Sequence, residues 1–260
     1  MADERLPPAW ILAGGLGTRL REVLPDRAKA LAPIGSRPFL ALLLDQLRAA
    51  GFQDVVMLLG AKHEGVVDFV TRGNPEKVPT PSGAAQAPAR ADERPPLRIR
   101  VSIESSPLGT GGAVKNAEAL ATEPFFLLNG DTYVDFDAGA MWRQHRDSGA
   151  LATLAVIQRD DCRRFGRVDF TPEGFLAGFR EKADVPEPGW INAGVYLLQP
   201  EVVSLIPAGR AVSLEREVFP TLLASGRRVA VSRQAGTFFD IGTPDDLRAF
   251  QEYAQLKHHD

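Results

Sequence analysis

A short apolar run, Ala9-Trp10-Ile11-Leu12-Ala13, leads directly into Gly14-Gly15-Leu16-Gly17. An apolar run this short, stopped by glycines, reads as a buried strand that opens into a loop. That loop constrains the chain most. Glycines after a parallel strand let backbone N–H groups approach a phosphate with no Cβ in the way. The next segments fit the same plan. Residues 38–50 carry Phe39, Leu40, Leu43, Leu44 and Leu47 at helical spacing, with Gly51 as a stop just beyond. Residues 54–59 predict a second strand, 63–70 a short helix, 97–103 a strand, 111–120 a helix and 125–128 a fourth buried strand. Strands alternating with helices imply a mostly parallel sheet with right-handed crossovers.

The pattern changes at Gly149. Residues 152–157, 167–170, 175–180 and 191–198 are closely spaced strand candidates, read as an antiparallel extension of the sheet. Residues 213–224 predict a helix, and 229–232 and 238–241 late strands. Thr243-Pro244-Asp245-Asp246 opens a last helix with a Thr cap, a first-turn Pro and two acids at its positive end. Residues 73–96 hold six prolines and five alanines, too little apolar surface to bury, and are expected to form a mobile surface insertion.

Composition removes other classes. Of 260 residues, 44% are hydrophobic and 24% charged, which excludes a disordered chain or a coiled coil. No apolar run approaches the roughly 20 residues of a membrane span. The acidic start, Asp3-Glu4, is unlike a signal peptide. The one cysteine, Cys162, cannot pair internally and no Cys/His zinc spacing exists. A net charge of −3 leaves no electrostatic footprint for nucleic acid. A cytoplasmic protein with no membrane and no nucleic-acid partner is expected, as a monomer or homodimer, in one α/β domain with or without an appended lobe.

Two common phosphate loops fail. There is no G-x-x-x-x-G-K-[ST]. Gly15-Leu16-Gly17 begins a dinucleotide fingerprint but lacks its third glycine, and Pro25 and Pro33 break any long helix after it. What remains is a loop with two cations, Arg19 suited to bidentate phosphate binding and Lys29 to a point charge, or else a tight turn with solvated cations. Asn129-Gly130-Asp131 follows the carboxyl end of a buried strand, where ligands bind in open α/β sheets. Asp240 sits at another strand end. Each Asp suits a hard cation or a plain turn, and spacing does not show that they meet. Pro107-Leu108-Gly109-Thr110-Gly111-Gly112 either lines a base or phosphate or is an ordinary turn capped by Thr110. Glu104 is a strand-end acid, or an acceptor for two guanine N–H donors.

Together these segments resemble the sugar-1-phosphate nucleotidyltransferases. The resemblance rests on the Gly14 to Leu20 loop with Lys29, on residues 107–112, on Asn129-Gly130-Asp131-Thr132 and on Phe165-Gly166-Arg167-Val168. It continues through Glu181-Lys182, Asn192-Ala193-Gly194-Val195-Tyr196 and Phe239-Asp240-Ile241-Gly242-Thr243-Pro244, in family order over residues 10–250. The compact form and the Glu181-Lys182 context look most like the family's heptose 1-phosphate guanylyltransferases. Mannose-1-phosphate guanylyltransferases and muramate-type uridylyltransferases are nearly as close.

The resemblance implies a Rossmann-like, mixed and mostly parallel sheet flanked by helices, with a small antiparallel sugar-binding lobe. It implies a single domain over 1–260, with a nucleotide half near 9–135 and a sugar half near 150–242. It implies that a nucleoside triphosphate, GTP favoured, and a sugar 1-phosphate, the heptose favoured, give a nucleotide sugar and pyrophosphate with Mg²⁺. Leu12, Ala13, Gly14, Gly15, Gly17 and Thr18 would contact the nucleotide, with Glu104, Gly109 and Thr110 at base and ribose. Arg19, Lys29 and Asp131 would carry catalysis, and Asp131 and Asp240 the metal. Gly166, Glu181 and Asn192 would hold sugar hydroxyls, and Lys182 the sugar phosphate.

Two departures stand out. Ala30 follows Lys29 where the family usually has proline, and the insertion at 73–96 is long for the compact form, as decoration or a lid on the nucleotide side. No further domain is expected after the last helix. His63, His145, His258 and His259 are expected at the surface, Trp142 and Phe136 in helix packing, and Cys162 in a charged loop without a role. Two other classes stay open. A silent nucleotide-sugar sensor would not need Arg19, Lys29, Asp131, Lys182 and Asp240 together. A glycosyltransferase explains Asp131 but not the glycine loop.

Overall fold

The computed structural model describes residues 5–15, 20, 24, 27–60, 62–72, 95–180 and 185–257. The core is one seven-stranded sheet, and a short antiparallel ribbon, β2 (Pro33–Ile34) with β3 (Arg37–Pro38), lies outside it. Strand β1 (Ala9–Leu12) pairs in parallel with β4 (Asp54–Leu59) and β6 (Phe125–Asn129), and β4 with β5 (Arg98–Ile103). Strand β8 (Ala152–Arg159) pairs in parallel with β12 (Val229–Gln234), and β11 (Gly189–Leu198) runs antiparallel between β6 and β8. In the order β12-β8-β11-β6-β1-β4-β5 only β11 opposes the rest. The antiparallel pairing expected after Gly149 is found, with β11 against β6 and β8 in the sheet and β9 (Arg167–Phe170) against β10 (Leu176–Arg180) in a separate two-stranded ribbon, while β12 adds to β8 in parallel.

Continuous apolar strands arise because both sheet faces are covered. Along β1, Ala9 and Ile11 enter one core and Trp10 the other; along β6, Phe126 and Leu128 oppose Phe125 and Leu127. The first face is covered by α1 (Phe39–Ala49), α2 (His63–Arg72) and α4 (Ala138–Ser148); the second by α3 (Gly109–Asn116), α5 (Pro200–Ser204) and α6 (Phe219–Ala224). Helix α1 serves two cores: Leu40, Leu44 and Leu47 face the sheet, while Phe39 and Leu43 face α7 (Pro244–Lys257). There Phe39 meets Phe250 edge-on at 5.1 Å between ring centres. The Thr243 hydroxyl accepts from Asp246 N–H at 3.3 Å, as its capping role predicts.

Four expectations need correction. Helix α3 starts at Gly109 and ends at Asn116, because the chain tightens into a 3-10 turn over Glu118–Leu120. The helix expected over 213–224 begins as a π-helical turn, Leu214–Val218. Helix α4 was given no bounds in the sequence, although Trp142 was expected in helix packing and its Asp137 cap and left-handed Gly149 terminator are ordinary signals. His145 is on the buried face of α4, fully enclosed: Nδ1 is 2.8 Å from Thr153 Oγ1 and Nε2 is 2.9 Å from Gln199 Nε2. Two polar partners make this burial tolerable. Trp142, on the same helix, packs against the core as expected. Cys162 is buried too, which pushes its thiol up. Residues 73–94, most of the expected insertion, lie outside the described residues, as do His258 and His259.

Candidate active site

Parallel strands deliver their carboxyl ends to one side of the sheet, and β1, β4, β5 and β6 all end at one crevice. Glycine permits the ends to close up. A Cβ on Gly60, just after β4, would lie 2.6 Å from Glu104 Oε1 and 2.7 Å from the Gly14 carbonyl. One on Gly130 would lie 2.6 Å from the Leu12 carbonyl. Gly60 is a residue the sequence reading missed, and its signal was a glycine directly after an apolar strand. Not every backbone group of the glycine loop is open to a ligand. Ala13 N–H donates to Leu58 at 2.8 Å, and the Leu12 carbonyl accepts from Gly130 N–H at 2.9 Å. A cavity of about 280 Å³ remains, lined among others by Gly14, Gly15, Glu104, Gly109, Thr110 and Asp131. That is just below the roughly 300–1,000 Å³ usual for ligand pockets.

Glu104 extends β5 and accepts from Leu108 N–H at 3.3 Å. Burial pushes its carboxyl above the usual range, against the lowering effect of that bond. The neighbouring α3 terminus is already occupied. The Val212 carbonyl accepts from Gly111 N–H at 2.9 Å and from Gly112 N–H at 3.4 Å, and Val212 N–H donates to the Leu108 carbonyl at 2.8 Å. These amides therefore hold a strap of the chain rather than a phosphate, and Thr110 is no cap. Its hydroxyl accepts from Leu214 N–H at 2.9 Å and donates to Glu215 Oε2 at 3.3 Å. Gly109 stands at φ +71°, where a Cβ would be 2.6 Å from the Val212 carbonyl.

Asp131 and Asp240 are 109 positions apart in sequence, and a small ribbon joins them. In it β7 (Thr132–Val134) pairs with β13 (Phe238–Asp240), with Thr132 opposite Asp240, and Ile241 N–H donates to the Asp131 carbonyl at 3.0 Å. Lys29 comes from a 3-10 turn, Lys29–Leu31, whose Ala30 is buried. Its ammonium lies 2.7 Å from Asp131 Oδ2 and 3.6 Å from Asp240 Oδ1. Alanine in the usual proline position thus leaves the turn packed and the lysine aimed at both carboxylates. Two hard oxygen donors converging on one cationic atom suit Mg²⁺, which typically uses one or two carboxylates plus phosphates and water. Among the described residues no group of three or more His, Cys, Asp or Glu is placed to hold a metal.

On the other side of the crevice, Asn192 opens a bulge in β11, where three residues, Ala193 to Val195, stand against one of β8, Ala155. Gly194 turns it at φ +72°, where a Cβ would be 2.7 Å from Asn129 Nδ2. Bulges of this kind re-aim side chains beside functional sites. Asn192 Oδ1 accepts from Gly194 N–H at 2.9 Å and its Nδ2 donates to the Tyr196 hydroxyl at 2.8 Å. That hydroxyl donates to Glu215 Oε1 at 2.7 Å, and burial together with Glu215 holds its acidity well below that of a free phenol. Gly166, at φ +73°, turns the chain into β9. The sequence reading missed Glu215, and Tyr196 was noted only as part of a motif. Arg19, Gly17, Thr18, Glu181 and Lys182 lie outside the described residues.

The sequence matches the nucleotidyl transferase family over residues 9–256. The chain belongs to this family. It is 35% identical over 241 residues to a mannose-1-phosphate guanylyltransferase of Mycobacterium tuberculosis, covering 92% of this chain but 62% of that protein. It is 29% identical to a D-glycero-alpha-D-manno-heptose 1-phosphate guanylyltransferase of Campylobacter jejuni, covering 93% of this chain and 97% of that one. The chain thus spans about three fifths of the mannose relative and nearly all of the heptose relative. Among solved structures, HddC from Yersinia pseudotuberculosis complexed with GMP-PN superposes with a TM-score of 0.79 at 28% identity, covering 95% of this chain and 99% of that one.

Proposed function

We propose that this family member joins GTP to a sugar 1-phosphate, D-glycero-D-manno-heptose 1-phosphate in first place, giving the nucleotide sugar and pyrophosphate. The convergence of Lys29, Asp131 and Asp240 beside a cavity walled by Glu104 carries this reading. A sugar-phosphate oxygen attacks the α-phosphorus in line; the bond from that phosphorus to the β-phosphate oxygen breaks, and pyrophosphate leaves. No covalent enzyme intermediate is required, so the protein's task is positioning and charge neutralisation.

Lys29 supplies a fixed positive charge at the reacting phosphates, and Arg19 and Lys182 are assigned to the triphosphate and the sugar phosphate. Asp131 and Asp240 would hold Mg²⁺, which when bound offsets charge on the phosphates. Glu104 favours guanine because guanine presents two N–H donors to one carboxylate, whereas uracil presents one. The heptose is favoured by the relative that this chain matches over nearly its full length. Mannose 1-phosphate is the second reading, supported by the 35% identical relative. We place the reaction in the cytoplasm, supplying nucleotide sugar to surface glycans.

Pyrophosphate release with Mg²⁺, crossing five nucleoside triphosphates with heptose, mannose, glucose and N-acetylmuramate 1-phosphates, tests the assignment. Turnover with GTP and the heptose phosphate is expected. Asp131→Ala should reduce it at least about a hundredfold with an unchanged far-ultraviolet spectrum. A fully active variant would refute the metal role, and silence with every pair would refute the activity.

A further inference from the structure

One carboxylate outside the cavity lining reaches both substrate sides. Glu215 lies in the π-helical turn between the α3 strap and α6. Such turns are rare and frequently mark functional sites. Its Oε1 accepts from the Tyr196 hydroxyl at 2.7 Å. Its Oε2 accepts from Ser213 Oγ at 3.0 Å and from Thr110 Oγ1 at 3.3 Å. The direction of each bond follows from what lies behind it. The Thr110 hydroxyl accepts from Leu214 N–H and the Ser213 hydroxyl from Arg216 N–H, and neither amide can act other than as a donor. The Tyr196 hydroxyl accepts from Asn192 Nδ2. The Asn192 amide is fixed from its other end, since Gly194 N–H can only donate to Oδ1. Each hydroxyl therefore has its proton free for Glu215, and an ionised carboxylate, with acceptors only, is the group that takes all three.

We propose that Glu215 is the positioning residue that sets the Asn192 amide on the sugar side and the Thr110 hydroxyl on the nucleotide side at once. It touches neither substrate. Its Tyr196 arm presents the second Nδ2–H of Asn192, and the second lone pair of Oδ1, in one fixed orientation. Its Thr110 arm keeps the strap closed on α3, and with it the wall of the cavity at Gly109 and Thr110. Gln at this position brings donors as well as an acceptor. At least one hydroxyl must then reverse or lose its bond; a reversed Tyr196 hydroxyl would point its proton at Asn192 Nδ2, whose polarity Gly194 N–H already fixes, and so displace that amide. The inference rests on the proposed transferase reaction and on Asn192 facing the sugar.

The test is steady-state pyrophosphate release with each substrate varied in turn, alongside thermal unfolding. Glu215→Gln is expected to raise KM about tenfold or more for both the sugar phosphate and GTP, with a smaller change in kcat. Tyr196→Phe cuts only the Asn192 arm, so it should raise the sugar-phosphate KM and leave that for GTP within about twofold. The double variant should have a sugar-phosphate KM close to that of Glu215→Gln, because both changes cut the same arm. A purely structural carboxylate would lower the unfolding temperature with both KM values unmoved, and that result overturns the proposal. Multiplying effects in the double variant overturn it too. Should Glu215→Gln not fold, an unchanged sugar-phosphate KM in Tyr196→Phe is sufficient to reject it. A wild-type protein that releases no pyrophosphate rejects the transferase reading, and this inference with it.

Discussion

His145 allows a prediction with a worked magnitude. Its ring is fully buried between α4 and the sheet, and burial lowers its pKa from 6.5 to about 4. Gln199 Nε2 donates to Nε2, so Nδ1 carries the proton and donates to Thr153. In the unfolded chain the imidazole takes up a proton near its usual pKa; in the folded protein it does not until near 4. Between these values the unfolded state binds more protons, so this stabilising contribution is complete above 6.5 and is lost as pH falls toward 4. Lowering the pH from about 7.5 to about 5 should remove about 2 kcal/mol through this residue alone. The assay is urea unfolding of the wild type and of His145→Gln at both pH values. Gln keeps the capacity to bond Thr153 and Gln199 but does not titrate. The loss on acidification should be about 2 kcal/mol smaller in the variant. An equal loss in both proteins would show that the buried ring is not what acid attacks.

Two further substitutions probe the site. Glu104→Gln should raise the GTP KM about tenfold or more and move the UTP KM less, because it replaces one of two acceptors with a donor. Since burial raises the Glu104 carboxyl, wild-type GTP binding should weaken at a mildly acidic pH where an ordinary carboxylate is still ionised, and the variant should be flatter there; an unchanged GTP/UTP ratio rules out guanine reading by this side chain. Gly194→Ala places a Cβ 2.7 Å from Asn129 Nδ2 at a φ of +72°. It should cost about 1–3 kcal/mol in urea unfolding and raise the sugar-phosphate KM, whereas wild-type behaviour in both would mean the bulge relaxes freely.

The parallel half of the sheet was legible because its signals are local. Buried strands such as Phe125–Asn129 are short apolar runs, and Gly14 and Gly51 mark where a run must stop. The same locality made Asp131, placed just after a strand, readable as a site residue. Which of the strands after Gly149 join the main sheet and which form the separate β9–β10 ribbon was not legible, since period-2 patterning does not name a strand's partner. Helix α4 was given no bounds because its buried face includes His145, a polar residue whose partners Thr153 and Gln199 come from β8 and the end of β11. Glu215 looked like any acid on a helix, because its three hydroxyl donors include one from α3 and one from β11.

Asn192 came only with the family resemblance; by itself the sequence determined the glycines at strand ends and marked Lys29, in the loop after one strand, and Asp131 and Asp240, at the ends of others, as candidates. Those follow from backbone conformation and side-chain chemistry within a few residues. Only the tertiary structure decided that Lys29 sits against both aspartates, that Val212 occupies the α3 amides, and that Glu215 joins Asn192 to Thr110. Each of these is a contact between segments distant in the chain. Hydrogen bonds and ion pairs depend on separations of a few tenths of an ångström, which local patterning does not encode and the packing of α3, β7, β11 and β13 around one sheet does.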